Sequence, residues 1–169
     1  MSSCQELSQG STFSLELDLL TLKQANVAEN IIKFNENLSD YLPLKILIVE
    51  DNKVNQKIAD KLFQKLGYPV IIVNNGVEAL NVLKQEMYDV VFMDIQMPEL
   101  DGIETTKAIY QEWGETNRPY IIAMTANAMP SDREQCLSVG MDDYISKPIK
   151  IEAIVASIQL LRQRRFDSK

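Results

Sequence analysis

The stretch Asp89-Val90-Val91-Phe92-Met93-Asp94-Ile95-Gln96-Met97-Pro98-Glu99-Leu100-Asp101-Gly102 sets the architecture of this chain. Residues 90–93 are apolar, too few for a helix, and rich in β-formers. They read as a strand buried on both faces, the habit of a parallel sheet. The run ends on a carboxylate, Asp94, and then Pro98 and the Asp101-Gly102 pair turn the chain into a loop. Open α/β sheets bind their ligands just beyond the carboxyl ends of the strands, which is where Asp94 stands. By itself Asp94 would as readily cap the next turn, and its company decides between the two.

Upstream, Ile46-Leu47-Ile48-Val49 is a second buried strand, ending in Glu50-Asp51-Asn52. A helix is expected next, with Val54, Ile58, Leu62 and Leu66 on one face and a stop at Gly67. Residues 70–73 make a third strand. Asn75, with Glu78 three residues on, is an N-cap pairing for a helix carrying Val77, Leu80 and Leu83. Downstream, a helix is expected over 103–113, then a strand over 120–124 that ends at Thr125. Ser131-Asp132-Arg133-Glu134 reads as a capping box opening a helix that closes at Gly140. Asp143-Tyr144-Ile145 is a short last strand, followed by Lys147-Pro148. The final helix carries Ile151, Ile154, Val155, Ile158 and Leu161, and its charged tail from Arg162 is expected to fray, with 166–169 as a free end. Strand and helix thus alternate five times from Lys45, the pattern of an α/β, doubly wound, five-stranded parallel sheet with helices on both faces.

The chain has 169 residues, enough for one well-buried domain and some extra. A net charge of −7 argues against a nucleic-acid surface and for basic or metal-bound partners. No apolar run is long enough to cross a bilayer, and residues 1–20 lack a signal-peptide pattern, so no membrane contact is expected of this chain. Cys4 and Cys136 form no CxxC pair and read as reduced thiols, which places the chain in the cytoplasm. There is no histidine. That excludes a catalytic triad, most zinc sites and a phosphohistidine relay within the chain. Over residues 12–19 polar and apolar residues alternate, with Phe13, Leu15, Leu17 and Leu19 on one face of a half-buried strand that has no neighbouring partner. Residues 21–43 read as a linker, with a helix around 22–34 and a stop at Pro43.

The strand ends carry the chemistry. The first offers Glu50 and Asp51, the central one Asp94, the next Thr125 and the last Lys147. Adjacent strands lie roughly 5 Å apart, so these groups can converge on one pocket. Crowded carboxylates repel one another unless a cation joins them. A hard cation fits, and magnesium typically takes one or two carboxylates, waters and a phosphate. Lys147 supplies a point charge and Thr125 a hydroxyl donor for phosphate oxygens. A carboxylate can attack phosphorus to give an acyl phosphate, and such a transfer needs positioning and charge neutralisation more than acid–base chemistry.

Residues 44–165 resemble the receiver domain of two-component response regulators. The resemblance rests on Leu47-Ile48-Val49-Glu50-Asp51-Asn52, Met93-Asp94-Ile95-Gln96-Met97-Pro98-Glu99-Leu100-Asp101-Gly102, Ala123-Met124-Thr125-Ala126 and Ser146-Lys147-Pro148, in order and at the right spacing. The Glu50-Asp51-Asn52 segment with Asn55-Gln56, and Asp94-Ile95-Gln96-Met97-Pro98, look more like receivers fused to hybrid histidine kinases. The resemblance implies a flavodoxin-like sheet of order 2-1-3-4-5. It implies that Asp94 is the phosphoacceptor and that Glu50, Asp51, Asp94 and the main-chain carbonyl of Gln96 hold Mg2+. It further implies that Thr125 and Lys147 bind the phosphoryl group, that Tyr144 turns inward on activation, and that Lys147-Pro148 is a cis peptide. The implied partner is a histidine kinase or a histidine phosphotransfer domain. Leu7-Ser8-Gln9-Gly10-Ser11-Thr12-Phe13 is similar to the glycine box and last strand of a histidine-kinase ATP-binding domain, with Ser8 where the first glycine usually stands. Residues 1–20 are therefore expected to be a remnant of that domain, joined by the linker 21–43, within a parent hybrid kinase that could be membrane-anchored.

Singly, each site residue has a plainer reading. Glu50 and Asp51 could be first-turn acids of a helix, Thr125 a buried hydroxyl, Lys147 a surface lysine and Tyr144 core packing. All of them at the proper strand ends, in the family order, favour the joint reading. Three functions compete: a phosphoacceptor switch, a magnesium phosphatase with an aspartyl nucleophile, and a binding scaffold. Phosphatases of that kind usually carry a second Asp two residues beyond the nucleophile, where this chain has Gln96. The intact acidic set counts against the scaffold. The expectation is a switch, with self-catalysed phosphorylation and slow dephosphorylation of Asp94 rather than turnover. The face formed by the fourth helix of the alternating part, the fifth strand and the last helix is expected to respond.

Overall fold

The computed structural model describes residues 38–126 and 129–164, with the backbone alone of 165–167. The remnant expected at 1–20, the strand at 12–19 and the helix around 22–34 lie outside them. The chain runs α1 (Leu38–Tyr41), β1 (Ile46–Val49), α2 (Lys53–Lys65), β2 (Val70–Val73), α3 (Gly76–Gln85), β3 (Val90–Asp94), α4 (Gly102–Asn117), β4 (Tyr120–Thr125), α5 (Pro130–Ser138), β5 (Asp143–Ser146) and α6 (Ile151–Asp167). The five strands form one sheet in the order β2-β1-β3-β4-β5, every pair parallel. This is the expected doubly wound sheet. Every residue of β1 and β3 is buried, as their unbroken apolar runs require, whereas Ile71 on the edge strand β2 is half exposed.

Alternate side chains feed the two faces. Leu47, Val49, Val91, Met93, Ile121 and Ala123 pack with residues of α3, α4 and α5. On the opposite face Phe63 of α2 meets Phe92 edge-on, with ring centroids 4.9 Å apart. The buried stripe of α6, Ile154, Val155, Ile158 and Leu161, lies outside the first cluster. At the amino edge of the sheet, Arg118 forks onto Asp142 at 2.5 and 2.8 Å and so joins the approaches to β4 and β5. Among the described residues no helix is long and apolar enough to cross a membrane.

Five local expectations need adjustment. In α2 the buried face is Ala59, Phe63 and Leu66, while Val54 and Ile58 are exposed at 65% and 43%. Asn75 does cap α3, accepting from Glu78 N, but the Glu78 carboxylate accepts from Asn74 instead of closing a capping box. α5 starts one residue before Ser131, at Pro130, and Met129 caps it with no side-chain bond. A proline at the first helical position lacks the N–H that would otherwise need a partner. Finally, α4 continues past residue 113 to Asn117 across a break at Gly114 (φ 69°), and the backbone of α6 stays helical to Asp167, beyond the fray expected from Arg162.

Candidate functional site

Because β1, β3 and β4 run parallel, their carboxyl ends form one rim. β1 delivers Glu50, which is 1% exposed, with Asp51 beside it and open to solvent. β3 delivers Asp94, 4% exposed. One carboxylate oxygen from each of these three residues lies within 4.8 Å of the others. β4 ends at Thr125, also buried, and the turn after β5 brings in Lys147. The Lys147 ammonium lies 2.7 Å from Glu50 Oε2 and 2.8 Å from Asp94 Oδ2. Its backbone N–H donates to the Thr125 carbonyl at 2.7 Å, and the Lys147-Pro148 peptide is cis. These groups line a recess of about 350 Å³, together with Asn55, Gln96 and Ile103 among others.

The loop after β3 is folded tightly against the rim. Gln96 N donates to Asp94 Oδ1 at 3.2 Å, and Gly102 N donates to the Ile95 carbonyl at 3.1 Å. A Cβ on Gly102 would lie 2.2 Å from the Asp94 carbonyl oxygen, so only glycine allows this approach.

Burial raises the Asp94 carboxyl above the usual carboxylate range. The Lys147 ammonium opposes that, and the neighbouring Glu50 carboxylate adds to it. Burial alone would lower the Lys147 ammonium, but its contacts with Asp94 and Glu50 outweigh this and hold it above the ordinary lysine value. With all groups ionised, three carboxylates and one ammonium leave two negative charges, which a divalent cation balances. The donors are all oxygen and Asp51 lies on the open side, so the set suits a hard cation that keeps some of its waters.

The structure therefore brings Glu50, Asp51, Asp94, Thr125, Gln96 and Lys147 to one recess. Tyr144 stands apart from it: half-buried against the core, with the Arg133 guanidinium 5.3 Å from its ring centroid. Sequence reasoning assigned no role to Asn52 and Asn55, which both hydrogen-bond Glu50 Oε1, at 3.2 and 3.0 Å. Asn52 was findable as the cap of α2. Asn55 could be placed only once the strand-to-helix turn was known.

Residues 46–159 match the family described as the response regulator receiver domain. The chain belongs to this family. It is a receiver domain of the kind used in two-component phosphorelays, and histidine kinases are among its relatives. Histidine kinase 5 of Arabidopsis thaliana is 36% identical over 94% of the chain. The aerobic respiration control sensor protein ArcB of Escherichia coli is 34% identical over 91%, and hybrid signal transduction histidine kinase B of Dictyostelium discoideum is 44% identical over 70%. The chain spans only 6% to 19% of the length of these three relatives. Among solved structures, the receiver domain of sensor histidine kinase PA1611 from Pseudomonas aeruginosa, with a magnesium ion in its active-site cleft, is 41% identical. It aligns over 72% of this chain and 95% of its own, with a TM-score of 0.59. The Saccharomyces cerevisiae complex of the histidine phosphotransfer protein Ypd1 with the Ssk1 receiver domain contributes a second neighbour, 31% identical over 75% of this chain and 88% of that one, with a TM-score of 0.62.

Proposed function

We propose that this receiver accepts a phosphoryl group on Asp94 from the phosphohistidine of a histidine kinase or a histidine phosphotransfer domain. The observation that carries this reading is the buried Asp94 carboxylate, within 4.8 Å of two further carboxylates and held by Lys147 at the floor of an open recess. An oxygen of Asp94 forms the new O–P bond while the P–N bond to the donor imidazole breaks. The bonding pair returns to the ring nitrogen, which takes a proton from solvent. Glu50, Asp51, Asp94 and the main-chain carbonyl of Gln96 would hold Mg2+, which when bound supplies charge neutralisation on the phosphoryl oxygens and on the crowded acids. The magnesium in the cleft of the PA1611 receiver supports this assignment, and the Ypd1–Ssk1 complex supports a phosphotransfer partner.

Lys147 moves its ammonium toward the arriving phosphoryl group, and Thr125 donates its hydroxyl to a phosphoryl oxygen. Movement of Thr125 makes room for Tyr144, and α5, β5 and α6 repack around it. Gln96 offers no acid to protonate a leaving group, so the domain holds its phosphate rather than turning over. The Arabidopsis and Escherichia coli kinase relatives, aligned over nearly the whole chain, support reading 44–165 as the receiver, 21–43 as a linker and 1–20 as the last strand of a kinase ATP-binding domain.

Incubation with magnesium and acetyl phosphate is expected to add one phosphate, seen by intact mass. Asp94→Asn should take up none. Multiple-turnover hydrolysis of a generic phosphate ester would replace this reading with a phosphatase, and no uptake by the wild-type protein would replace it with a scaffold.

A further inference from the structure

The start of α2 has an unusual division of labour. In a capping box the residue at the third helical position reaches back with a carboxylate to accept the N–H of the cap residue. Here the cap residue is Asn52, whose side chain accepts from Val54 N and Asn55 N. Its own N–H goes instead to Glu50 Oε1 at 3.2 Å. The third helical position is Asn55, and its side-chain amide donates to that same oxygen at 3.0 Å. An ionised carboxylate only accepts hydrogen bonds, so the Asn55 amide must present its NH2 group. A glutamate at position 55 would compete with Glu50 for Asn52 N and place a second anion against it. Meanwhile Gln56 Nε2 ties the Glu50 carbonyl oxygen, at 2.5 Å, to Asn74 Oδ1 at the end of β2.

Glu50 is 1% exposed, so its carboxylate cannot find water to fix its direction. The two oxygens are divided. Oε1 has both of its donors on the first turn of α2, and Oε2 faces Lys147 at 2.7 Å. We propose that Asn55 is a positioning residue for the acidic site: by committing Oε1 of Glu50, it turns Oε2 toward Lys147 and the divalent cation. This rests on the magnesium reading given above. Groups that orient metal ligands from behind typically change metal affinity about 10- to 100-fold when removed.

The test is calorimetric titration of the receiver with magnesium chloride, comparing wild type with Asn55→Leu, which keeps the branched shape, though with more bulk, and removes the donor. Asn55→Ala is the second variant and carries the comparison if the leucine does not fold. Circular dichroism establishes the native fold of whichever is used. Magnesium affinity is expected to fall about tenfold. The magnesium concentration giving half-maximal uptake from acetyl phosphate should rise by the same factor, while the rate at saturating magnesium stays at the wild-type value. A merely structural role would lower the saturated rate and leave affinity alone, and that outcome overturns the proposal. So does a folded variant that binds magnesium as the wild type does. If the wild-type protein itself takes up no magnesium, the cation reading falls, and the role of Asn55 falls with it.

Discussion

Lys147 is the residue on which the resting site turns. Among the described residues it is the one side chain in direct ion-pair contact with both buried carboxylates. Losing one partner of a buried charge set leaves the other uncompensated, and such losses cost about 3–5 kcal/mol. Lys147→Met should therefore lower stability by that order in urea denaturation without metal. Magnesium should recover more of the variant's stability than of the wild type's, because a cation then takes the place of the ammonium. Equal responses of the two proteins to magnesium would contradict this. At this scale much of the site was legible: Glu50, Asp94 and Thr125 each follow or end an apolar strand, Lys147 follows the short last strand, and a parallel sheet sends all such ends to one rim. Asn55 was not legible, because its contact with Glu50 is made across a turn whose geometry no spacing rule specifies.

Among the elements, α2 shows where hydrophobic periodicity misleads. Val54, Ile58, Leu62 and Leu66 form a proper i, i+4 row, yet the helix rests on Ala59, Phe63 and Leu66. An i, i+4 row drifts around the helix axis, because four residues exceed one 3.6-residue turn. Ala59 is also too small to register as an anchor, although it lets α2 approach the sheet closely. The difference is measurable. Ile58→Ala should shift stability by no more than about 0.5 kcal/mol, in keeping with a surface position. Phe63→Ala removes a ring that is 1% exposed and stacked edge-on against Phe92, and should cost about 3–5 kcal/mol. Chemical denaturation of both variants decides it, and comparable losses would restore the row read from the sequence. The boundaries of α4 and α5 were missed for a related reason: Gly114 and Pro130 interrupt or start helices through backbone geometry, to which side-chain patterning is blind.

In the molecule as a whole, the sheet order and the burial of β1 and β3 followed from runs of apolar residues, whereas the anchoring of the amino edge did not show in the sequence. That edge also carries buried phenols. Burial pushes Tyr120 up to about 12 from an ordinary value of 10.0, and burial raises Tyr68 further in the same direction. The sign is fixed by where the protons sit. The native state keeps phenolic protons that the unfolded chain gives up near its ordinary value, so stability is intact below that value and is lost as pH rises through 10.0 to about 12. The urea midpoint should fall over that interval. Ultraviolet phenolate absorbance should show these phenols ionising together with unfolding, after the more exposed ones. A midpoint flat across the interval would show that these rings are not held as the structure has them.

The recess around Asp94 has a further consequence, for traffic between molecules. An acceptor at the bottom of a hollow can be reached only by a group that protrudes, and two hollows cannot touch floor to floor. Two copies of this domain should therefore be unable to pass a phosphoryl group to each other, even when crowded. Loading one copy from acetyl phosphate, removing the small donor and adding an unloaded, mass-tagged copy should leave the tagged copy bare. On the reading proposed above, a donor must therefore bring a protruding group down to Asp94, and a second copy of the same hollow offers none.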